Sequence, residues 1–147
     1  MTRRELLRAL ASGGAGLAAL CGLPPAARAS GARAPRRAGP EDHPDPRPGI
    51  DASGVISAES LRADGYGDDV VEVFDMVRQI PGIADGLACY CGCMLMGNRS
   101  LLTCYHEGGM ARGCPICQGE GRLAWGRWKE GQSLAQIRRA IDARFDV

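Results

Sequence analysis

The sequence predicts a small all-α domain of about four short helices wrapped around a cysteine-rich loop. Three observations carry that expectation. Apolar residues recur at helical spacing in two stretches, Val70, Val73, Phe74, Val77 and Ile80, and Leu134, Ile137, Ile141 and Phe145. Cys114-Pro115-Ile116-Cys117 reads as the opening of a third helix, because proline is favoured at the first helical position. Six of the seven cysteines (Cys89, Cys91, Cys93, Cys104, Cys114 and Cys117) fall between residues 89 and 117.

The first helix is expected from Asp68 or Asp69 to Ile80, with Asp69 and Glu72 as a capping box and Pro81-Gly82 as its stop. Its apolar stripe is core. Ile83 to Leu87 leads into Cys89-Tyr90-Cys91-Gly92-Cys93. In an extended segment these three thiols share a side. A second helix is expected after Gly97, capped by Asn98 and ending near Glu107-Gly108, with Leu101 and Leu102 as its apolar contacts and Cys104 on the core side. The third runs from the CPIC motif through Trp128 to Gly131. Ser133 and Gln136 make a capping box for the fourth, which leaves Arg138, Arg139 and Arg144 solvated.

The expected domain, residues 60–147, follows two extensions. Thr2-Arg3-Arg4-Glu5-Leu6-Leu7-Arg8 resembles a twin-arginine export motif. An apolar run from Ala9 to Leu23 follows it, and Ala27-Arg28-Ala29 offers a cleavage site, so residues 1–29 read as a signal peptide. The run is too short and too rich in Gly and Ala for a membrane span. Leu20-Cys21 fits a lipoprotein site poorly, since a small residue should precede the cysteine. Residues 30–59 read as a Pro-rich flexible linker, with Pro35, Pro40, Pro44, Pro46 and Pro48 excluding regular helix and His43 a solvated loop residue. The expected location is extracytoplasmic or periplasmic.

Composition excludes more than it assigns. The 147 residues carry a formal charge of +1. Without residues 1–29 there are 14 basic and 16 acidic side chains. That balance gives no electrostatic case for nucleic acid or an anionic membrane surface. With 21 Gly, 9 Pro and few aromatics, the core should be small and in need of metal or cross-links. No phosphate-binding loop, paired-carboxylate site or Ser/His/Asp arrangement is recognisable.

Sulfur is the chain's one dense chemical resource, and three readings of it stay open. The first is binding of a thiophilic ion, Zn²⁺ or Cu(I), by Cys89, Cys91, Cys93, Cys104, Cys114 and Cys117, with His106 as a further ligand. The second is thiol–disulfide exchange with a redox partner protein. Cys114 would be the nucleophile at a helix N-cap, where a thiolate is favoured, and Cys117 the resolving thiol. The third holds no metal and staples the domain with three disulfides, as an even cysteine count in an oxidising compartment suggests. Pairing within Cys-x-Cys closes a strained ring, which counts against the third reading.

The order CYCGC, GNRSLLTC, CPIC and KEGQSLAQIRRAIDARF resembles the exported bacterial CYCXC family, also called proteins with a PCYCGC motif, over roughly residues 79–145. The resemblance names no reaction. Some members carry selenocysteine, which implies a redox-competent site in those relatives. The six clustered cysteines match the family pattern, whereas Ala88 replaces its common proline and Asn98 stands where many members have histidine. A weaker resemblance is to the dicysteine proteins of cytochrome c maturation.

Overall fold

The computed structural model describes residues 43–145. The expected signal peptide, Cys21 and the linker before His43 lie outside the described residues.

Five α-helices form among the described residues: α1 (Ala58–Ala63), α2 (Asp68–Arg78), α3 (Pro81–Asp85), α4 (Pro115–Lys129) and α5 (Leu134–Phe145). Among the described residues no strand forms. A single antiparallel bridge joins Val55 and His106. The fold is all-α around a cysteine-rich loop, as the apolar periodicity predicts. Helix α2 packs against α1 and α4, and α4 packs against α5.

The long helices follow their sequence signals. In α2, Val70, Val71, Val73, Phe74 and Val77 are buried. Its N-cap is Gly67 without a side-chain cap, so the expected Asp69–Glu72 box does not form. Asp68 and Asp69 lie in the first turn instead, where negative charge complements the helix dipole. Pro81 opens α3 rather than ending the structure, because a proline at N1 forfeits no helical hydrogen bond. Helix α4 begins at Pro115 behind Cys114 as N-cap. In α5, Gln136 Oε1 accepts the Ser133 N–H at 2.8 Å and the Ser133 hydroxyl at 2.9 Å, which is one half of the expected box, and Ile137 and Ile141 are fully buried.

Two stretches depart from expectation. Helix α1 has a single buried residue, Leu61, and is started by Ser57, whose hydroxyl accepts the Ser60 N–H at 3.0 Å. The helix expected after Gly97 is only a 3₁₀ turn, Leu102–Tyr105. Asn98 does not cap it: Leu101 stands at the N-cap, and the Asn98 amide donates to the Cys93 carbonyl at 3.3 Å. Thr103 competes with helical bonding. Its hydroxyl donates to the Ser100 carbonyl at 2.7 Å and accepts the Ser100 N–H at 3.1 Å.

From His43 onward the expected free linker is tied down. The His43 ring is buried. Its Nδ1 accepts the Ala88 N–H at 2.8 Å, which leaves the proton on Nε2 for Asp142 Oδ1 at 2.9 Å. The solvated histidine expected there is a tether between the linker and α5. Arg47 binds Asp85 through its backbone N–H at 2.8 Å and its guanidinium at 2.8 and 3.1 Å. Arg138, expected in solvent, donates to the carbonyls of Pro44 and Gly86 at 2.7 and 3.0 Å.

Candidate metal centre

Three pieces of chain bring the thiols together. The first descends from α3 through Leu87 and Ala88, both fully buried, to Cys89. It does not stay extended through the CYCGC motif. Tyr90–Gly92 form a turn, Gly92 adopts φ +88°, and Cys93 opens a 3₁₀ turn running to Met96. Glycine takes this left-handed conformation at little cost, which lets the three thiols converge without a straight strand. The second piece carries Cys104. It is laid beside the first by the Leu101 N–H, which donates to the Leu87 carbonyl at 2.7 Å. The third is the first turn of α4, which presents Cys117. Tyr105 fixes that turn by donating its phenol hydrogen to the Cys117 carbonyl at 2.7 Å.

Five sulfurs meet as a result. Cys93 and Cys104 Sγ are 2.9 Å apart, Cys89 and Cys91 3.3 Å, Cys89 and Cys117 3.4 Å, and Cys91 and Cys117 3.5 Å. A disulfide would hold its sulfurs about 2.05 Å apart, and all six cysteines among the described residues are free. Thiolates sharing one ion through bonds of about 2.3 Å lie roughly 3.8 Å apart, within a few tenths of an ångström of three of these separations. The sulfurs fall into two triplets able to hold a metal ion, Cys89–Cys91–Cys117 and Cys89–Cys93–Cys104.

Neither triplet includes Cys114 or His106. Cys114 is half-buried at the N-cap of α4. His106 lies over Gly54, where an added Cβ would come within 2.6 Å of the imidazole ring. Burial first, then the nearby Arg47 charge, hold the His106 ring below its usual pKa.

The thiols polarise one another. Coupling among the crowded sulfurs pulls Cys91 and Cys93 down. The same coupling raises Cys117. Cys89 and Cys104 are also raised. The downward pull of Cys104 on the one, and of Cys117 on the other, is outweighed by the remaining sulfurs.

Three polar residues outside the sequence-derived set shape the centre. Glu120 is fully buried one turn beyond Cys117, and its Oε1 accepts the Tyr90 N–H at 2.7 Å. Its Oε2 has no hydrogen-bond partner among the described residues. Burial pushes the Glu120 carboxyl up to about 8, so it is largely neutral at pH 7. Tyr90, between Cys89 and Cys91, also bonds through its hydroxyl to Asp142 Oδ1. The turn between the first two cysteines is thus pinned to α4 and to α5. The i+3 spacing of Glu120 from Cys117 was a readable signal on a helix, whereas nothing in the sequence links Tyr90 to Asp142.

Fold and site together define a small all-α protein with a buried cluster of free thiols positioned to bind a metal ion. No family model, curated protein or solved structure matches the chain.

Proposed function

We propose that this is an exported protein that binds a thiophilic metal ion, Zn²⁺ or Cu(I), through Cys89, Cys91, Cys93, Cys104 and Cys117. One observation carries the reading: five free sulfurs from three chain segments converge, with neighbours 2.9–3.5 Å apart, in a largely buried cluster. Burying that many thiols side by side uses no disulfide to staple the fold, and it matches the soft-donor chemistry such ions select. Export is supported by the twin-arginine-like motif at Thr2–Arg8 and by the resemblance to the CYCXC family. Passage in the folded state would let the thiols take up metal before meeting an oxidising compartment.

The thiol–disulfide reading has one observation in its favour, the 2.9 Å approach of Cys93 and Cys104. It moves the exchanging pair away from Cys114 and Cys117, since Cys117 faces Cys89 and Cys91.

Anaerobic purification followed by dialysis, elemental analysis and non-denaturing mass spectrometry separates the two. Metal binding predicts about one or more equivalents of a thiophilic ion retained through dialysis. It also predicts thiols protected from alkylation until a chelator is added. Folded, metal-free protein that cycles between thiols and a Cys93–Cys104 disulfide in a redox buffer would replace this reading with the exchange role.

A further inference from the structure

We infer that the cluster takes two Cu(I) ions, each held by three thiolates, with Cys89 bridging them; the inference rests on the thiolate-metal reading above. A closed zinc site surrounds its ion with four donors at tetrahedral spacing. Among the described residues, the sulfur, imidazole and carboxylate donors around this centre lie within 4.8 Å of one another only in threes. Those threes share one member, Cys89. A single ion placed in either triplet leaves two thiols of the other without metal, whereas two ions engage all five. A thiolate sulfur has lone pairs enough to bridge two ions. Cu(I) is soft and d¹⁰, and it accepts three thiolates without a fourth donor, which zinc does not favour.

A second observation points to copper independently. The 3₁₀ turn opened by Cys93 continues as Met94, Leu95 and Met96. Met96 is 65% exposed and Leu95 93%, although both are apolar. A thioether in solvent next to a thiolate cluster is a soft donor suited to Cu(I) and poor for Zn²⁺. The Met94–Met96 turn therefore reads as the edge at which the ion is acquired, with Cys93 as the first thiolate inward.

The test is titration of the full reduced chain with Cu(I), without oxygen and against a competing Cu(I) chelator, with Zn²⁺ in a parallel series. Stoichiometry is read by non-denaturing mass spectrometry and coordination by X-ray absorption. Two copper ions per chain are expected, each with about three sulfur neighbours and with a copper–copper vector from the shared thiolate. Cys91→Ser leaves Cys89, Cys93 and Cys104, and should bind one ion. Cys104→Ser leaves Cys89, Cys91 and Cys117, and should also bind one. Cys89→Ser leaves only pairs and should lose to the chelator at concentrations about tenfold lower or less. Cys114→Ser should still bind two. Circular dichroism checks that each variant folds, and if Cys89→Ser does not, the Cys91 and Cys104 variants decide. One ion bound by four sulfurs, copper or zinc, would overturn the paired site and leave the thiolate-metal reading standing. Two ions held equally well by folded Cys89→Ser would overturn the bridge. Folded, reduced protein that retains no metal would overturn both.

Discussion

The Tyr105 hydroxyl donates to the carbonyl oxygen of Cys117 at 2.7 Å, so the 3₁₀ turn that carries Cys104 holds the backbone of the turn that presents Cys117. The ring is fully buried and meets Phe74 edge-on, with centroids 4.7 Å apart. Burial, then the neighbouring Cys117 and Glu120, keep the phenol protonated well past its ordinary range. Tyr105→Phe keeps the packing and removes only the donor. It should lower stability by about 1 kcal/mol in urea denaturation, because a buried hydrogen bond is lost. An unchanged midpoint would show that the bond contributes nothing.

Gly121 gives the same contact a steric test. A Cβ there would come within 2.2 Å of the Tyr105 hydroxyl and 3.0 Å of Val77 Cγ2. Helix propensity alone favours alanine over glycine by about 1 kcal/mol. Overpacking of about 1–3 kcal/mol should outweigh that gain in Gly121→Ala. Gly126 is on the same helix with open space around its Cα, and Gly126→Ala should stabilise by about 0.5–1 kcal/mol. Thermal melts that move in the same direction for both variants would contradict the close approach of α4 to Tyr105.

Asp85 sets the acid limit. Burial alone would raise its carboxyl, but the hydrogen bonds from Arg47 and Ser100 more than offset this and hold it at about 2, below its ordinary 3.8. Arg99 adds a contact at 3.0 Å. A depressed folded-state pKa means the stabilisation is complete above about pH 4 and is lost as pH falls toward 2. With both arginines partly in solvent, the contribution is about 1–2 kcal/mol. Asp85→Asn should cost about 1–2 kcal/mol near neutral pH and flatten the profile between pH 4 and 2. Helicity followed through an acid titration checks this. Parallel curves for the two proteins would show that another group governs acid unfolding.

The parts that sequence reasoning reached are those whose signals are local. Val73, Phe74 and Val77 recur on one face of α2, Pro115 opens α4, and Ser133 meets Gln136 three residues on. Each shows its structural role within a single helical turn or two. Helix α1 offered only Leu61 as a buried residue, too little to register as a period. The Leu101-Leu102 pair looks helical by composition, but Thr103 turns its backbone into a tighter coil. At the centre, the cysteine spacing named the sulfurs. It could not separate Cys114 from Cys117, because which of the two reaches Cys89 depends on how α4 docks. Tyr90 and His43 act through partners 52 and 99 residues away, distances at which an isolated polar residue carries no pattern.

The bond between His43 and Asp142 also sets an order of events during synthesis. It joins residues 99 positions apart, and the same α5 carboxylate receives the Tyr90 hydroxyl. At about 5–20 residues per second, the ribosome needs roughly 5–20 seconds to make the chain between them. Until α5 emerges, neither the segment before α1 nor the turn between Cys89 and Cys91 has its final anchor. The nascent thiols therefore wait unsheltered for several seconds, and the turn that carries Cys89 and Cys91 gains its last anchor only after α5 has been translated.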